Sequence, residues 1–256
     1  MHRRFLLGLT SVVLLVLLGV LATSLLRAGS AVASAAPSKC QALPDEDELK
    51  GFLADAPAAG GNAGGLFNGT KMWAAVVNRD GEICAYTTST ADPSQVWPGS
   101  QAIAKSKAYT ANAFSLDTLA LSTARLYTFT QPGHSLWSLG QSNLFEPKFL
   151  APPTGQAGGL QQIAGGLIFF GGGVPLYNAA GKIIGGLGIS GDTSCTDHEI
   201  AKRVRNLAGL NPTGGALADD ITYSSADGAS FFTHPLCPNT FRNGIFIGTE
   251  LPAAGY

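Results

Sequence analysis

Short apolar runs alternate with glycine, proline and asparagine along most of the chain, a pattern typical of β-strands joined by turns. The runs at 72–78 and 82–88 flank Arg79-Asp80-Gly81 and predict a first β-hairpin. The runs at 176–177 and 182–190 flank an asparagine-to-glycine turn and predict a second. Residues 171–201, which contain this second hairpin and the start of a helix, are predicted to form the central unit of the domain.

Glycines interrupt the last predicted strand at Gly185, Gly186 and Gly188. Gly186, Gly188 and Gly191 formally match the dinucleotide-binding spacing G-x-G-x-x-G, but the first two lie inside the apolar run and not in a strand-to-helix turn. Asp219 is also too distant to serve as the ribose-binding acid. We therefore interpret these glycines as positions where another backbone or a ligand approaches the strand closely.

Helical periodicity and capping residues predict four helices, at 45–56, 100–114, 116–127 and from Thr196 to about Gly209. The last of these rests on the capping-box spacing of Thr196 and Glu199. The second helix carries a stripe of small residues that would let it lie close to a sheet or to another chain: Ala104, Ala108 and Ala111.

Two segments lack clear periodicity. Residues 131–166 form a long loop containing His134, Trp137 and Phe145, and long loops inside compact domains are usually functional or disordered. The tail at 211–256 is polar and rich in turn residues, and it contains the aromatic and cysteine cluster at 231–237. We expect that tail to wrap around the domain.

Residues 1–35 have the organisation of an export signal: a basic start, an apolar run and the cleavage-type sequence Ala33-Ser34-Ala35. The apolar run is long, so an uncleaved membrane anchor is the alternative. With either outcome the sequence predicts a periplasmic or extracellular domain, in contact with a membrane only if the segment is retained.

The amino-acid composition limits the kinds of partner that we expect for this protein. Charged residues make up 13% of the chain and the formal net charge is −1, which argues against a nucleic-acid partner. An even number of cysteines in an exported chain predicts two disulfides among Cys40, Cys84, Cys195 and Cys237, with three possible pairings.

Two separated motifs resemble the GlcG/HbpS family of haem-binding and haem-degrading-type domains. The first is a G-G-x-P hairpin, a glycine-rich strand and an acidic helix start: Gly172, Gly173, Pro175, Gly181, Ile184, Gly185, Gly188, Ser190, Gly191, Asp197, Glu199 and Ala201. The second is K-A-x-T-A, at Lys107, Ala108, Thr110 and Ala111. Their order along the chain makes the resemblance specific.

The resemblance implies an α/β (α+β) fold, a profilin-like antiparallel sheet flanked by helices, and self-association, because relatives form oligomers. It covers about residues 72–210, so 36–71 and 211–256 are interpreted as N- and C-terminal extensions. Cys84 and Cys195 fall inside the family-like domain, whereas Cys40 and Cys237 fall outside it. We expect each disulfide to fasten one extension to the domain.

A haem site needs an apolar slot, an axial donor and partners for the propionates. His134, in the aromatic loop, and His198, at the start of the last helix, are candidate iron ligands; an ordinary solvent-exposed role is the alternative for each. His234 is expected to be structural. The absence of a C-x-x-C-H motif argues against covalent haem attachment.

Lys107 and Thr110 lie three residues apart on one helix face and are candidates to bind a carboxylate-bearing ligand, such as a haem propionate or a small organic acid. The alternative is a solvated lysine and a hydroxyl bonded within its own helix. By the same resemblance Gly172, Gly173, Pro175 and Asp197 are candidate ligand-binding residues, and the glycines alternatively only shape the hairpin.

The leading hypothesis is therefore an exported protein that binds haem or a related tetrapyrrole non-covalently, for scavenging, storage or redox sensing. The alternatives are a module that binds or breaks down a small organic acid and a structural oligomer without a ligand. The sequence has no G-x-S-x-G elbow, H-E-x-x-H motif or P-loop, so it offers little support for an enzyme.

Overall fold

A computed structural model describes residues 39–150 and 158–251. The predicted export signal at 1–35 lies outside the described residues. Within the described part of the chain, no helix is both long enough and apolar enough to cross a membrane.

The centre of the fold is a four-stranded antiparallel sheet in the order β2-β1-β4-β3. Its strands are β1 (Trp73–Asn78), β2 (Ile83–Thr88), β3 (Gly173–Tyr177) and β4 (Ile183–Ser190). Both predicted hairpins are confirmed. The second begins earlier than predicted, because the glycine run continues directly into β3, and Pro175 is tolerated there since β3 is an edge strand.

Helices cover both faces of this sheet. They are α1 (Glu46–Asp55), α2 (Gly99–Phe114), a short α3 (Leu139–Ser142), α4 (Ser194–Leu207) and a short α5 (Ser224–Asp227). Single 3₁₀ turns lie at Ala56–Ala58, Pro93–Gln95, Thr123–Leu126, Thr128–Thr130 and Pro147–Phe149. The C-terminal extension adds two small sheets, β5 (Thr222–Tyr223) with β6 (Thr233–His234) and β7 (Thr240–Arg242) with β8 (Ile245–Gly248).

Two buried clusters hold these layers together. On one face Val76 and Leu187 of the sheet cluster with Leu53 of α1 and Val204 of α4. On the other face Trp73, Val77 and Tyr86 cluster with Ala104 and Ala108 of α2. The predicted α/β class, an antiparallel sheet flanked by helices in the profilin-like manner, is confirmed.

The small residues of α2 face the glycines of β4. A Cβ atom at Gly188 would overlap the carbonyl oxygen of Ala104, and one at Gly186 would overlap that of Ala108. The strand therefore needs glycine because the helix backbone lies directly on it. This confirms the packing interpretation of the glycines, and it shows that the stripe at Ala104 and Ala108 lies against the sheet of its own chain.

The predicted helix at 116–127 is wrong. The Ser115 hydroxyl donates to the Leu121 carbonyl and accepts from the Leu121 amide, which closes residues 115–121 into a loop. Only the 3₁₀ turn Thr123–Leu126 remains helical. A serine that bonds nearby backbone in this way competes with helical hydrogen bonds, and the apolar pattern does not reveal it.

The predicted capping box of the last helix is also wrong. Thr193 is the N-cap of α4 and accepts a hydrogen bond from the Thr196 amide, so the helix begins at Ser194. The Thr196 hydroxyl instead donates to the carbonyl of Ala63, in the N-terminal extension. The threonine three residues upstream provides the true start signal.

Both extensions are fastened by disulfides. Cys40 is bonded to Cys84 of β2, and Cys195 of α4 is bonded to Cys237 of the tail. This pairing, Cys40 with Cys84 and Cys195 with Cys237, is the one expected if each bridge joins one extension to the central domain.

Candidate functional site

The glycine run before β3 passes between α2 and α4. Gly172 has a φ of 118°, and a Cβ there would lie 2.6 Å from the Lys107 Nζ atom and 2.5 Å from the Ile189 carbonyl oxygen. A Cβ at Gly171 would meet the Ser194 carbonyl and lie 3.0 Å from the His198 Cβ. Glycine is thus required at both positions, because backbone carbonyls of β4 and α4 and the Lys107 side chain leave no room for a Cβ.

A buried ion pair lies directly behind Gly172. Lys107 Nζ is 2.7 Å from Asp197 Oδ2 and donates to the Ile189 carbonyl at 3.0 Å. The other carboxylate oxygen, Oδ1, accepts from the amides of Gly191 and Asp192 at 3.1 and 2.9 Å. Burial raises the pKa of Asp197 to about 6 although Lys107 opposes this, and burial lowers the pKa of Lys107.

Thr110 and Pro175 are also used within the fold. The Thr110 hydroxyl donates to the Ser106 carbonyl at 2.7 Å and accepts from the Ile168 amide at 3.0 Å, which fixes the segment returning from the long loop. Pro175 is a buried residue of β3 opposite Gly186. The structure therefore brings Lys107, Gly172 and Asp197 together, but the polar groups of Lys107, Asp197 and Thr110 are all bonded within the domain. Their role toward a ligand stays a prediction.

His198 is enclosed in the same region, with 1% of its surface exposed. Its Nε2 atom is 3.4 Å from Asp220 Oδ1, and neither ring nitrogen forms a hydrogen bond of normal geometry in the described chain. Because α4 is buried along its length, this imidazole reaches an external ligand only if the surrounding segments move.

His234 lies beside the glycine run as well. Its Nδ1 atom is 2.7 Å from the Pro235 carbonyl, which fixes the hydrogen on Nδ1, and Nε2 accepts from the Gly171 amide at 3.2 Å. Nε2 and the sulfur atoms of Cys195 and Cys237 lie within 4.8 Å of one another, but both sulfurs are bonded in the disulfide. The contacts of His234 are structural ones, as the sequence predicts.

The burial of His234 predicts a pH dependence of stability. Burial lowers the pKa of this imidazole to about 4; the Pro235 carbonyl opposes the shift, and His198 and Lys107 add to it. Because the unfolded chain takes up the proton near pH 6.5, the free energy of unfolding should fall as the pH drops from about 6.5 to 4. Urea titrations at pH 7, 5 and 4 measure this, and His234→Gln should flatten the dependence. An equally steep dependence in the variant would show that other groups cause it.

His134 has the opposite environment, because it is exposed in the long loop. Its amide donates to the Gln131 carbonyl, and two residues later the Leu136 amide donates to the Phe129 carbonyl at 3.0 Å. These backbone hydrogen bonds hold the turn that contains His134 next to Phe129. Trp137, in the same turn, is 52% exposed.

Phe129 is part of an exposed aromatic surface formed with the tail. Its ring stacks on that of Phe231 with centroids 5.9 Å apart, and it meets Phe232 edge-on at 5.7 Å. Phe231 is 64% exposed and Phe232 39%. We call Phe129, Phe231 and Phe232 the aromatic surface. The Thr128 hydroxyl donates to the Thr233 carbonyl at 2.7 Å and holds the tail in place.

Sequence reasoning missed the aromatic surface, because its members are separated by about a hundred residues. The only available signal was the aromatic cluster at 231–237, which was interpreted as part of a wrapping tail. The tail does wrap around the domain, and in doing so it presents two of those rings to solvent.

The antiparallel sheet and the helices on its two faces define an α/β domain, and the glycine-lined ion pair lies buried within it. Residues 57–205, more than half of the chain, match the family described as haem degrading protein HbpS-like. The chain belongs to this HbpS-like family. No curated protein shows a significant match to the sequence.

Several solved structures are similar. Protein ORFY of Klebsiella pneumoniae is 18% identical, with 64% of this chain and 86% of that chain covered and a TM-score of 0.45. A PduOC:heme complex is 22% identical, with 64% and 92% covered and a TM-score of 0.45. A double mutant of HbpS from Streptomyces reticuli is 20% identical, with 70% and 97% covered and a TM-score of 0.38.

Proposed function

We propose that this protein binds haem non-covalently on the aromatic surface, with His134 as the axial ligand of the iron. The family description, which concerns haem degradation, supports haem as the class of ligand. The observation that carries the proposal within this chain is a cluster of three phenylalanine rings, two of them exposed, beside a turn that presents an exposed imidazole.

The residues of this surface suit a haem group. The phenylalanine rings offer an apolar face to a macrocycle, and imidazole is a common axial donor to haem iron. His198, the other candidate ligand, is enclosed behind the glycine run and is therefore less suited to take up haem from solution. Bound haem would supply the redox chemistry of its iron, while the chain supplies the binding surface and the donor.

Titration of haemin into the oxidised mature protein, followed by the visible spectrum, tests the proposal. We expect a saturable shift of the Soret band at about one haem per chain. His134→Ala should change the position of that band and weaken binding by about tenfold or more, which corresponds to at least about 1.4 kcal/mol. Phe231→Ser should weaken binding while keeping the spectrum of a histidine-ligated haem.

The matched control is Phe246→Ser, since Phe246 is also an exposed ring but lies on β8. It should leave haemin affinity unchanged. Saturable binding that is insensitive to both His134→Ala and Phe231→Ser would move the site away from the aromatic surface, and His198→Ala would then be the variant to measure. Weak, unsaturable binding would contradict haem as the ligand.

The location and assembly of the protein are part of the same proposal. Two disulfides are consistent with an oxidising compartment outside the cytoplasm, which agrees with the predicted export signal. We propose scavenging, storage or redox sensing as the use of the bound haem, and a homo-oligomer as the working assembly. Light scattering of the purified mature protein measures the oligomer size.

A further inference from the structure

A cleft of about 530 Å³ lies where the loop after α2 meets the start of the C-terminal extension. Its volume is in the usual range of small-molecule sites, about 300–1,000 Å³. The lining residues come from the loop, from β3 and from the tail, and they include Asp117, Arg125 and Tyr177.

Arg125 gives this cleft a free edge of hydrogen-bond donors. Its Nε atom donates to the Asp220 carbonyl at 3.2 Å, and the guanidinium carbon lies 5.7 Å from the centre of the Phe232 ring. Across residues 39–150 and 158–251, Nη1 and Nη2 form neither a hydrogen bond nor an ion pair. Because Nε is occupied, the remaining edge is the pair of terminal nitrogens, which can hold two oxygen atoms side by side.

The carboxylates around the cleft are already neutralised by other cations. Asp117 pairs with Lys182 at 2.7 Å. In the tail, Asp219 pairs with Arg205 at 2.6 Å and Asp220 with Lys202 at 2.8 Å. In the part of the chain that the structure describes, the positive charge of Arg125 is therefore left without an anionic partner.

We infer that this cleft binds a small monocarboxylate, held by the two terminal nitrogens of Arg125. This site adjoins the aromatic surface proposed for haem, because the Arg125 guanidinium lies beside Phe232, but none of its lining residues belongs to that surface. It does not use Lys107 or Thr110. A planar carboxylate matches the guanidinium edge with two parallel hydrogen bonds.

The other residues that line the cleft indicate the chemistry of the ligand beyond its carboxylate group. Leu119, Ala120, Pro212 and Ala218 are apolar, which suits a short hydrocarbon body. Tyr177 is buried beneath the cleft, and its hydroxyl donates to the Leu116 carbonyl at 2.8 Å, so it contributes a fixed wall. One unbalanced cation favours a monoanion over the dianionic form of phosphate, which needs several cations or backbone donors.

Isothermal titration calorimetry with acetate, butyrate and inorganic phosphate, on the mature protein without haem, tests this inference. We expect one saturable site for butyrate, with weaker binding of acetate and of phosphate. Arg125→Lys keeps the charge but loses the fork of two donors, and it should weaken butyrate binding by about tenfold or more. Ala218→Leu, which fills the apolar wall, should weaken it with the charge unchanged.

Lys50→Gln is the matched control, because it removes one exposed cation of α1 outside the cleft lining. It should leave butyrate affinity unchanged, and His134→Ala should do the same whether or not it alters haemin binding. Melting temperatures of all variants in the absence of ligand separate loss of binding from loss of fold. No saturable binding by butyrate, or equal affinity in Arg125→Lys, would overturn the site. Tighter binding of phosphate than of butyrate would overturn the monocarboxylate assignment.

Discussion

Replacing Lys107 with methionine should lower the free energy of unfolding at pH 8 by about 3–5 kcal/mol, the usual result of removing one partner of a buried ion pair. The side chains of Lys107 and Asp197 are 0% and 2% exposed, so the carboxylate left behind has no solvent to stabilise its charge. Urea unfolding followed by circular dichroism measures the loss.

The pH dependence of that loss follows from Asp197. Burial already raises the pKa of this carboxyl, and removal of Lys107 takes away the charge that opposes the shift. An acid whose pKa is raised in the folded state contributes stability at low pH and loses it as the pH rises through the folded value. Lys107→Met should therefore be less destabilised at pH 5 than at pH 8, relative to the unchanged protein.

The double variant Lys107→Met with Asp197→Asn removes both charges but keeps an oxygen for the amides of Gly191 and Asp192. It should be more stable than Lys107→Met alone, since no uncompensated charge remains. Lys182→Met is the matched control. Its ion pair with Asp117 has the same 2.7 Å separation but is exposed, so its removal should change stability little. A double variant no more stable than the single one would refute the interpretation.

Gly188→Ala should lower the free energy of unfolding by more than about 3 kcal/mol. This exceeds the usual loss caused by an extra methyl group in a packed core. The added Cβ would overlap the carbonyl oxygen of Ala104 and lie 2.5 Å from the amide nitrogen of Ala108, so a whole helix backbone would have to move. If the variant does not accumulate in folded form, limited proteolysis during refolding gives the same comparison.

Gly51→Ala is the control for the same chemical change. Gly51 lies in α1, and a Cβ added there would meet no atom within 4 Å, so alanine should stabilise the protein by about 0.5–1 kcal/mol through helix propensity. Gly188→Ala and Gly51→Ala should therefore shift the urea midpoint in opposite directions. A loss below about 1 kcal/mol for Gly188→Ala would show that α2 can move away from β4 at little cost.

The elements that sequence reasoning predicted correctly are those determined by neighbouring residues. The turns at Gly81 and Gly181 predicted both hairpins. The alanine stripe and the strand glycines each predicted a close approach, and the structure shows that they approach each other. The helix predicted at 116–127 does not form, because the Ser115 hydroxyl closes a loop to Leu121 across six residues.

The candidate sites depend on contacts that are distant in sequence. Lys107 and Asp197 are ninety residues apart in two separate motifs, and neither motif carries a sign that the two side chains form an ion pair. The free edge of Arg125 is visible only in the folded chain, where Asp219 and Asp220 are paired with residues of α4. Contacts in the folded chain determine which charged groups are paired, so no local sequence pattern reveals it.

The connectivity of the two disulfides has a consequence for how the chain matures. The Cys40–Cys84 loop closes before the sequence reaches Cys195, so the two loops neither overlap nor enclose one another. Because the chain is synthesised from its N-terminus, Cys40 and Cys84 appear before Cys195 and Cys237. While only the first two are present, each has one possible partner. We therefore expect correct pairing to follow from the order of synthesis, without shuffling of mispaired bonds.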